Sequence, residues 1–181
     1  MICIINCGTM FLKNIQNTLD DFSYENVVVN IDDIQNHNFN NYSGIIITGG
    51  PTKLSQIDYK EFIKPFEFIK NINIPVLGIC LGHQILGLLY GAQIDHGELI
   101  SKDEQIEIVH DDPLFANVDK NMLFKKEHSE FVSLPIGFTL LAKSVSCDNE
   151  AMKHENKYGL QFHPEVSGEN GKIILKNFLN F

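Results

Sequence analysis

Residues 74–91 read IPVLGICLGHQILGLLYG: an apolar run, a thiol between two glycines (Gly78-Ile79-Cys80-Leu81-Gly82), then a second apolar run. Ile74 to Ile79 shows no polar alternation, the pattern of a strand covered on both faces in a parallel sheet. The residues after Cys80 read as a helix. A cysteine kept only for packing behaves as a small hydrophobe and needs neither glycine. Glycines flanking a strand-to-helix corner permit a crowded backbone and expose one side chain at the carboxyl end of the sheet, as in the G-x-S-x-G nucleophile elbow, here written with sulfur. Amides at a helix start favour negative charge, so the pattern predicts a thiol whose pKa falls and a Leu81 N–H able to hold an oxyanion.

Strands and helices alternate on the N-terminal side of this corner. Met1 to Asn6 reads as a strand ending at Gly8, with Met10, Phe11, Ile15 and Leu19 following at helical spacing. Val27 to Ile31 and Gly44 to Thr48 read as further strands, the second entering the turn Gly49-Gly50-Pro51. The Asn-rich segment IQNHNFNNYSG between them reads as a loop without chemistry. Asp58 to Asn71 is amphipathic, with Phe62, Phe66 and Ile69 on one side. From Gly97 the rhythm changes to short strands at Glu104–Val109, Met122–Lys126, Phe138–Val145, Glu150–Lys153 and Tyr158–Phe162, and a helix over Gly171–Phe181 closes the chain. The expected fold is a single α/β domain with a mainly parallel central sheet flanked by helices and extra antiparallel strands in the second half.

Composition narrows the function. At 181 residues, 44% apolar and 20% charged, the chain has the balance of one globular domain with its own core. The net charge of −9 argues against a nucleic-acid surface, and with no arginine present bidentate phosphate gripping is not expected. Cys3, Cys7, Cys80 and Cys147 form no CxxC pair, so neither a structural zinc nor any other metal site is expected. Buried reduced thiols, an N-terminus without a basic lead and an apolar run too short to span a membrane predict a cytoplasmic protein.

A thiol nucleophile needs a base and a group to orient it. Of seven histidines, His163 stands apart, because it ends the apolar strand YGLQF and precedes Pro164-Glu165. In extended backbone residues i and i+2 face the same way, which would let Glu165 fix the His163 tautomer. Alone, HPE reads equally as a turn with a solvated acid; beside GICLG, catalysis is the better reading. The Gly49-Gly50 turn, at the end of an adjacent strand, is the candidate second oxyanion donor.

TGGP, GICLGHQ and GLQFHPE, in that order, resemble the class I glutamine amidotransferases over essentially the whole chain, residues 1–181. The resemblance implies Cys80 as nucleophile toward the glutamine side-chain amide, His163 as general base and acid, Glu165 as its orienter, and a flavodoxin-like arrangement. It also implies that Gly49, Gly50 and Gln84 line the glutamine site, although Gln84 reads equally as a polar residue on a helix's first turn. His83 is read as packing or second to the site.

The chain has no Walker loop, so a separate ammonia-using subunit is expected. EHSEFVSLPIGFTLLAKS and EAMKHENKYGLQFHPEV resemble the amidotransferase subunits of two-subunit GMP synthases, which implies an ATP-pyrophosphatase partner carrying ATP and Mg and converting XMP to GMP, with no cofactor on this chain. His128 and Glu130 are then candidates for contacting glutamine or the partner, or are a plain surface loop. NCGTMF and VSGENG depart from the subfamily pattern. Alternatives are the amidotransferase subunit of anthranilate or aminodeoxychorismate synthase, a stand-alone γ-glutamyl hydrolase or cysteine peptidase, and a regulatory module without turnover.

Overall fold

A computed structural model describes residues 1–119, 121 and 123–181. Three buried aliphatic strands, β1 (Ile2–Asn6), β3 (Gly44–Ile47) and β4 (Val76–Ile79), lie side by side and parallel, with β2 (Asn26–Asn30) on the outer edge of β1. Late in the chain β10 (Lys157–Leu160) returns to pair parallel with β4, and β9 (Ala151–His154), β8 (Thr139–Lys143) and β6 (Glu107–Ile108) extend the sheet antiparallel. The resulting order is β2-β1-β3-β4-β10-β9-β8-β6. Alternate residues feed opposite cores: Cys3 and Ile5 pack with Leu81, Ile85 and Leu86 of α3 (Leu81–Leu89), whereas Ile2 and Ile4 pack with Ile15 of α1 (Leu12–Asp21) and Ile174 and Phe178 of α4 (Gly168–Leu179). Helices thus cover both faces, which is why these strands carry no polar alternation. Among the described residues no helix is long and apolar enough to cross a membrane.

Several boundaries differ from the sequence expectation. The amphipathic run Asp58 to Asn71 is not one helix: α2 (Tyr59–Ile63) gives way to a 3-10 segment, Lys64–Asn71, with Pro65 at its start. Proline has no N–H for the α-helical ladder, so the winding changes there. The largest departure is a two-stranded antiparallel ribbon, β5 (Ile94–Gln105) with β7 (Leu123–Val132). Most of β5 is exposed and polar, IDHGELISKDEQ, so its sequence carries no strand-like apolar signal, and a bulge between His96 and Ile100 breaks its register. The expected strand at Met122–Lys126 begins on a residue outside those described and continues as β7 to Val132, so EHSEF is strand and not surface loop.

The ribbon is tied to the sheet by buried charge. Lys126, fully buried on the inner face of β7, pairs with Glu104 of β5 and with Glu150, whose side chain is also fully buried. Ser144 accepts from Lys126 at 2.6 Å and donates to Glu150 at 2.7 Å, while Ser146 donates to Glu104 at 2.5 Å. Burial pushes the Glu150 carboxyl up, partly opposed by Lys126. Burial also acts to raise Glu104, but hydrogen bonds from Lys102, Lys126 and Ser146 hold it well below the usual range.

Candidate active site

The glycines around Cys80 are explained by close approach of backbone. A Cβ on Gly82 would stand 2.2 Å from the Ile47 carbonyl oxygen, and one on Gly78 would stand 2.4 Å from that of Gly82. With those two side chains absent, α3 starts directly against the end of β3. Cys80 occupies the corner at φ 52° and ψ −104°, a left-handed conformation that costs a non-glycine residue on the order of 1–3 kcal/mol. Its amide donates to the Leu160 carbonyl at 2.8 Å, and its carbonyl accepts from Gln84 N at 3.0 Å, so strand pairing on one side and the helix on the other hold the strained residue.

His163 and Glu165 reach this corner from β10. His163 Nδ1 lies 2.8 Å from Glu165 Oε1, both side chains are almost wholly buried, and the imidazole shares its corner with the Cys80 side chain, since a Cβ on Gly49 would stand 3.0 Å from His163 Cε1 and 3.4 Å from Cys80 Cβ. The mechanism of the pairing differs from the expectation of extended backbone, because Pro164–Val166 is a 3-10 turn that brings Glu165 back to Nδ1 of the ring. Burial disfavours imidazolium, but the contacts with Cys80 and Glu165 outweigh it and raise the His163 pKa to about 10. The sulfur also lies 3.7 Å from the Glu127 carbonyl oxygen of β7. Earlier on the same strand, the Lys125 carbonyl accepts from His163 N at 2.8 Å, so the ribbon touches the histidine through its backbone and the cysteine through its side chain. Ser167, which the motif reading passed over, accepts from Lys125 N at 2.9 Å and donates to His163 O at 2.6 Å. A hydroxyl four residues past the histidine was the only sequence signal for it.

The Gly49-Gly50 turn lies against the elbow. Positions for Cβ atoms on Gly49 and Gly50 lie 3.0 Å from His163 Cε1 and 3.0 Å from the Leu81 side chain, respectively, and Cys7 N donates to Thr48 Oγ1 at 2.9 Å to anchor the turn. Leu81 is the first residue of α3, where helix geometry leaves N–H groups without helical partners. An oxygen placed between these two backbones and within reach of the sulfur could be held as an anion. Among the described residues no group of three or more His, Cys, Asp or Glu could hold a metal ion. All four cysteines are free and buried, and burial pushes Cys3, Cys7 and Cys147 up to about 12.

The remaining predicted residues sit close by but are occupied. Gln84 Nε2 donates to the Glu130 carbonyl at 2.9 Å and to Gln161 Oε1 at 3.2 Å. The Glu130 carboxylate, expected to face a ligand, instead accepts from Leu54 N at 2.7 Å, Ser55 N at 3.1 Å and Ser55 Oγ at 2.5 Å. It clamps the 54–55 turn, because two backbone donors at the start of the Leu54–Gln56 3-10 segment converge on it. His128 is buried on β7 beside Phe131 and is held down to about pKa 4 by burial. His83 is wholly buried against Gly159 and pushed down to about 3, mainly by burial and only partly opposed by the Gly159 backbone.

The matching family model is glutamine amidotransferase class-I, which covers residues 3–180. The chain belongs to the class-I glutamine amidotransferase family. The amidotransferase is 35% identical to a glutamine-hydrolyzing GMP synthase subunit of Pyrococcus abyssi, across 98% of this chain and 96% of that protein. The corresponding glutamine-hydrolyzing GMP synthase subunit of Methanococcus aeolicus is 37% identical, across 98% and 95%. In fold it matches a crystal structure from Thermoplasma acidophilum, described as a GMP synthase subunit, with a TM-score of 0.89 at 24% identity over 99% of this chain and 92% of that one.

The two depressed histidines of the amidotransferase make stability pH-dependent. Each binds its proton near pH 6.5 when unfolded and only near 3 or 4 when folded. Their contribution is therefore complete above about pH 6.5 and lost as pH falls toward those values. For His83 alone the expected slope of unfolding free energy is about 1.4 kcal/mol per pH unit between roughly pH 4 and 6. His83→Asn should flatten the wild-type slope by that amount in urea melts across this range. An unchanged slope would mean that His83 is protonated in the native state.

Proposed function

We propose that this chain is the glutamine-hydrolysing subunit of a two-subunit GMP synthase, working in the cytoplasm as one amidotransferase domain. The observation that carries the chemistry is the His163–Glu165 hydrogen bond set against Cys80 at a strained elbow. The Cys80 sulfur, its proton on His163, attacks the side-chain amide carbon of glutamine. A C–S bond forms, and the carbonyl oxygen becomes an anion between the Leu81 and Gly50 amides. Each such donor typically contributes about 2.7–4 kcal/mol to the transition state. The C–N bond then breaks as imidazolium gives its proton to the leaving nitrogen, releasing ammonia. In the second half His163 takes a proton from water, hydroxide adds to the glutamyl thioester, and the sulfur leaves with glutamate freed. Glu165 keeps one tautomer throughout. Gly49 and Gln84 shape the glutamine site, the latter by holding β7 against α3, and His128 and Glu130 support it from the ribbon.

Ammonia in neutral water is mostly protonated and no longer nucleophilic, so release makes sense only beside a consumer. The names of the relatives support a separate synthetase subunit: an ATP-pyrophosphatase that binds ATP and Mg2+, adenylates XMP and lets ammonia displace the adenylate. The acidic, arginine-free surface agrees with nucleotide binding on the partner. The test is to purify the chain with its native partner and supply glutamine, ATP and either XMP or chorismate. GMP formation is expected. Turnover of chorismate instead, or fast cleavage of γ-glutamyl peptides by the chain alone, would reassign it.

A further inference from the structure

Of the groups that bear on the His163 ring, the catalytic scheme uses three. Glu165 holds Nδ1, Cys80 acts on the imidazole electrostatically, and Gly49 leaves space beside Cε1. Another is Phe11. Its ring meets the imidazole edge-on, with centroids 5.2 Å apart and planes at 72°, the geometry aromatic pairs prefer. Phe11 is no loose side chain: its N–H donates to Thr9 Oγ1 at 3.1 Å, and its carbonyl accepts from Asn14 N at 3.0 Å as α1 begins. The departure segment NCGTMF thus delivers an apolar ring to the one side chain that must move protons in both half-reactions.

We infer that Phe11 is a positioning residue for His163, holding the plane of the imidazole so that one nitrogen stays on Glu165 while the ring faces the Cys80 sulfur. This rests on the role given to His163 above. A single hydrogen bond at Nδ1 lets an imidazole rock about the N···O line, and an aromatic ring set nearly perpendicular to it opposes that motion. The phenyl ring also takes up space where water would otherwise screen the imidazole's interactions with its charged neighbours. The titratable groups facing the ring are Cys80, Glu165 and, from the ribbon, His128.

The test uses Phe11→Ala, Phe11→Leu and Phe11→Tyr. Glutaminase kinetics are measured with the native partner present, and the rate of Cys80 alkylation by iodoacetamide is followed against pH in the isolated chain. Removing the ring should lower kcat by about 10- to 100-fold with KM within about 2-fold, the scale expected when a catalytic group is misplaced by an ångström or less. Alanine and leucine should both shift the pH midpoint of alkylation upward, and tyrosine should restore kcat and midpoint together. If the alanine variant does not fold, leucine and tyrosine carry the comparison. A wild-type kcat and midpoint in Phe11→Leu overturns the inference, as does a kcat loss with an unmoved alkylation profile. Should the wild-type complex show no glutaminase at all, the proposed function fails, while the alkylation profiles still decide whether Phe11 acts on the Cys80–His163 pair.

Discussion

Cys80→Ala will cut glutamine-dependent product formation by about 10⁴-fold or more while leaving ammonia-dependent synthesis by the complex close to wild type. The size follows from nucleophilic catalysis, since residues acting as a unit lose nearly all of their joint effect when one is removed. The selectivity follows from the division of labour, because the sulfur acts only on glutamine and the partner needs only ammonia. Alanine also suits the position: it keeps a Cβ where Cys80 Cβ already fits at φ 52°, so the elbow retains its shape and the comparison is clean. Steady-state rates with glutamine and with ammonium salt at alkaline pH make the measurement. Equal loss with both nitrogen donors would show that Cys80 holds the complex together instead of cleaving glutamine.

Lys126→Ala will cost about 3–5 kcal/mol of stability, the range for removing one partner of a buried ion pair. Lys126 and Glu150 have no exposed side-chain surface, so removing the ammonium strands the Glu150 carboxylate in the interior, while Glu104, 14% exposed, keeps Lys102 and Ser146. Most of that cost is the uncompensated charge and not the lost contact. Lys126→Met combined with Glu150→Gln should therefore recover much of the loss, because neutral side chains of similar size are cheaper to bury than a lone carboxylate. Urea unfolding of the two variants beside wild type decides it. A loss under about 1 kcal/mol for Lys126→Ala would mean that water reaches the cluster.

The parallel half of the fold was legible because its strands are aliphatic on both faces, and both faces are covered. The corner at Cys80 was legible for a related reason: Gly78 and Gly82 sit where any side chain would strike backbone, so their spacing is a geometric record of the turn. His163 and Glu165 could be named from the end of YGLQF, although the 3-10 turn at Pro164 that brings them together could not. What the chain concealed was the ribbon. Residues 94–105 are mostly exposed and polar, and the buried side of β7 alternates Phe124, Lys126, His128, Glu130 and Val132, where charge and apolarity share one face. Periodicity rules look for grease, and here three of these five inner-face residues are polar or charged. The same blindness applied to Glu130, whose carboxylate serves the 54–55 turn, and to Phe11, which reads as an ordinary first-turn aromatic.

The ribbon's seating ties the two reacting residues to one outside element. The Lys125 carbonyl takes the His163 amide at 2.8 Å, and two residues on, the Glu127 carbonyl lies 3.7 Å from the Cys80 sulfur. Any displacement of that strand therefore reaches base and nucleophile together, so a partner docking on the exposed side of the ribbon would act on both with a single push.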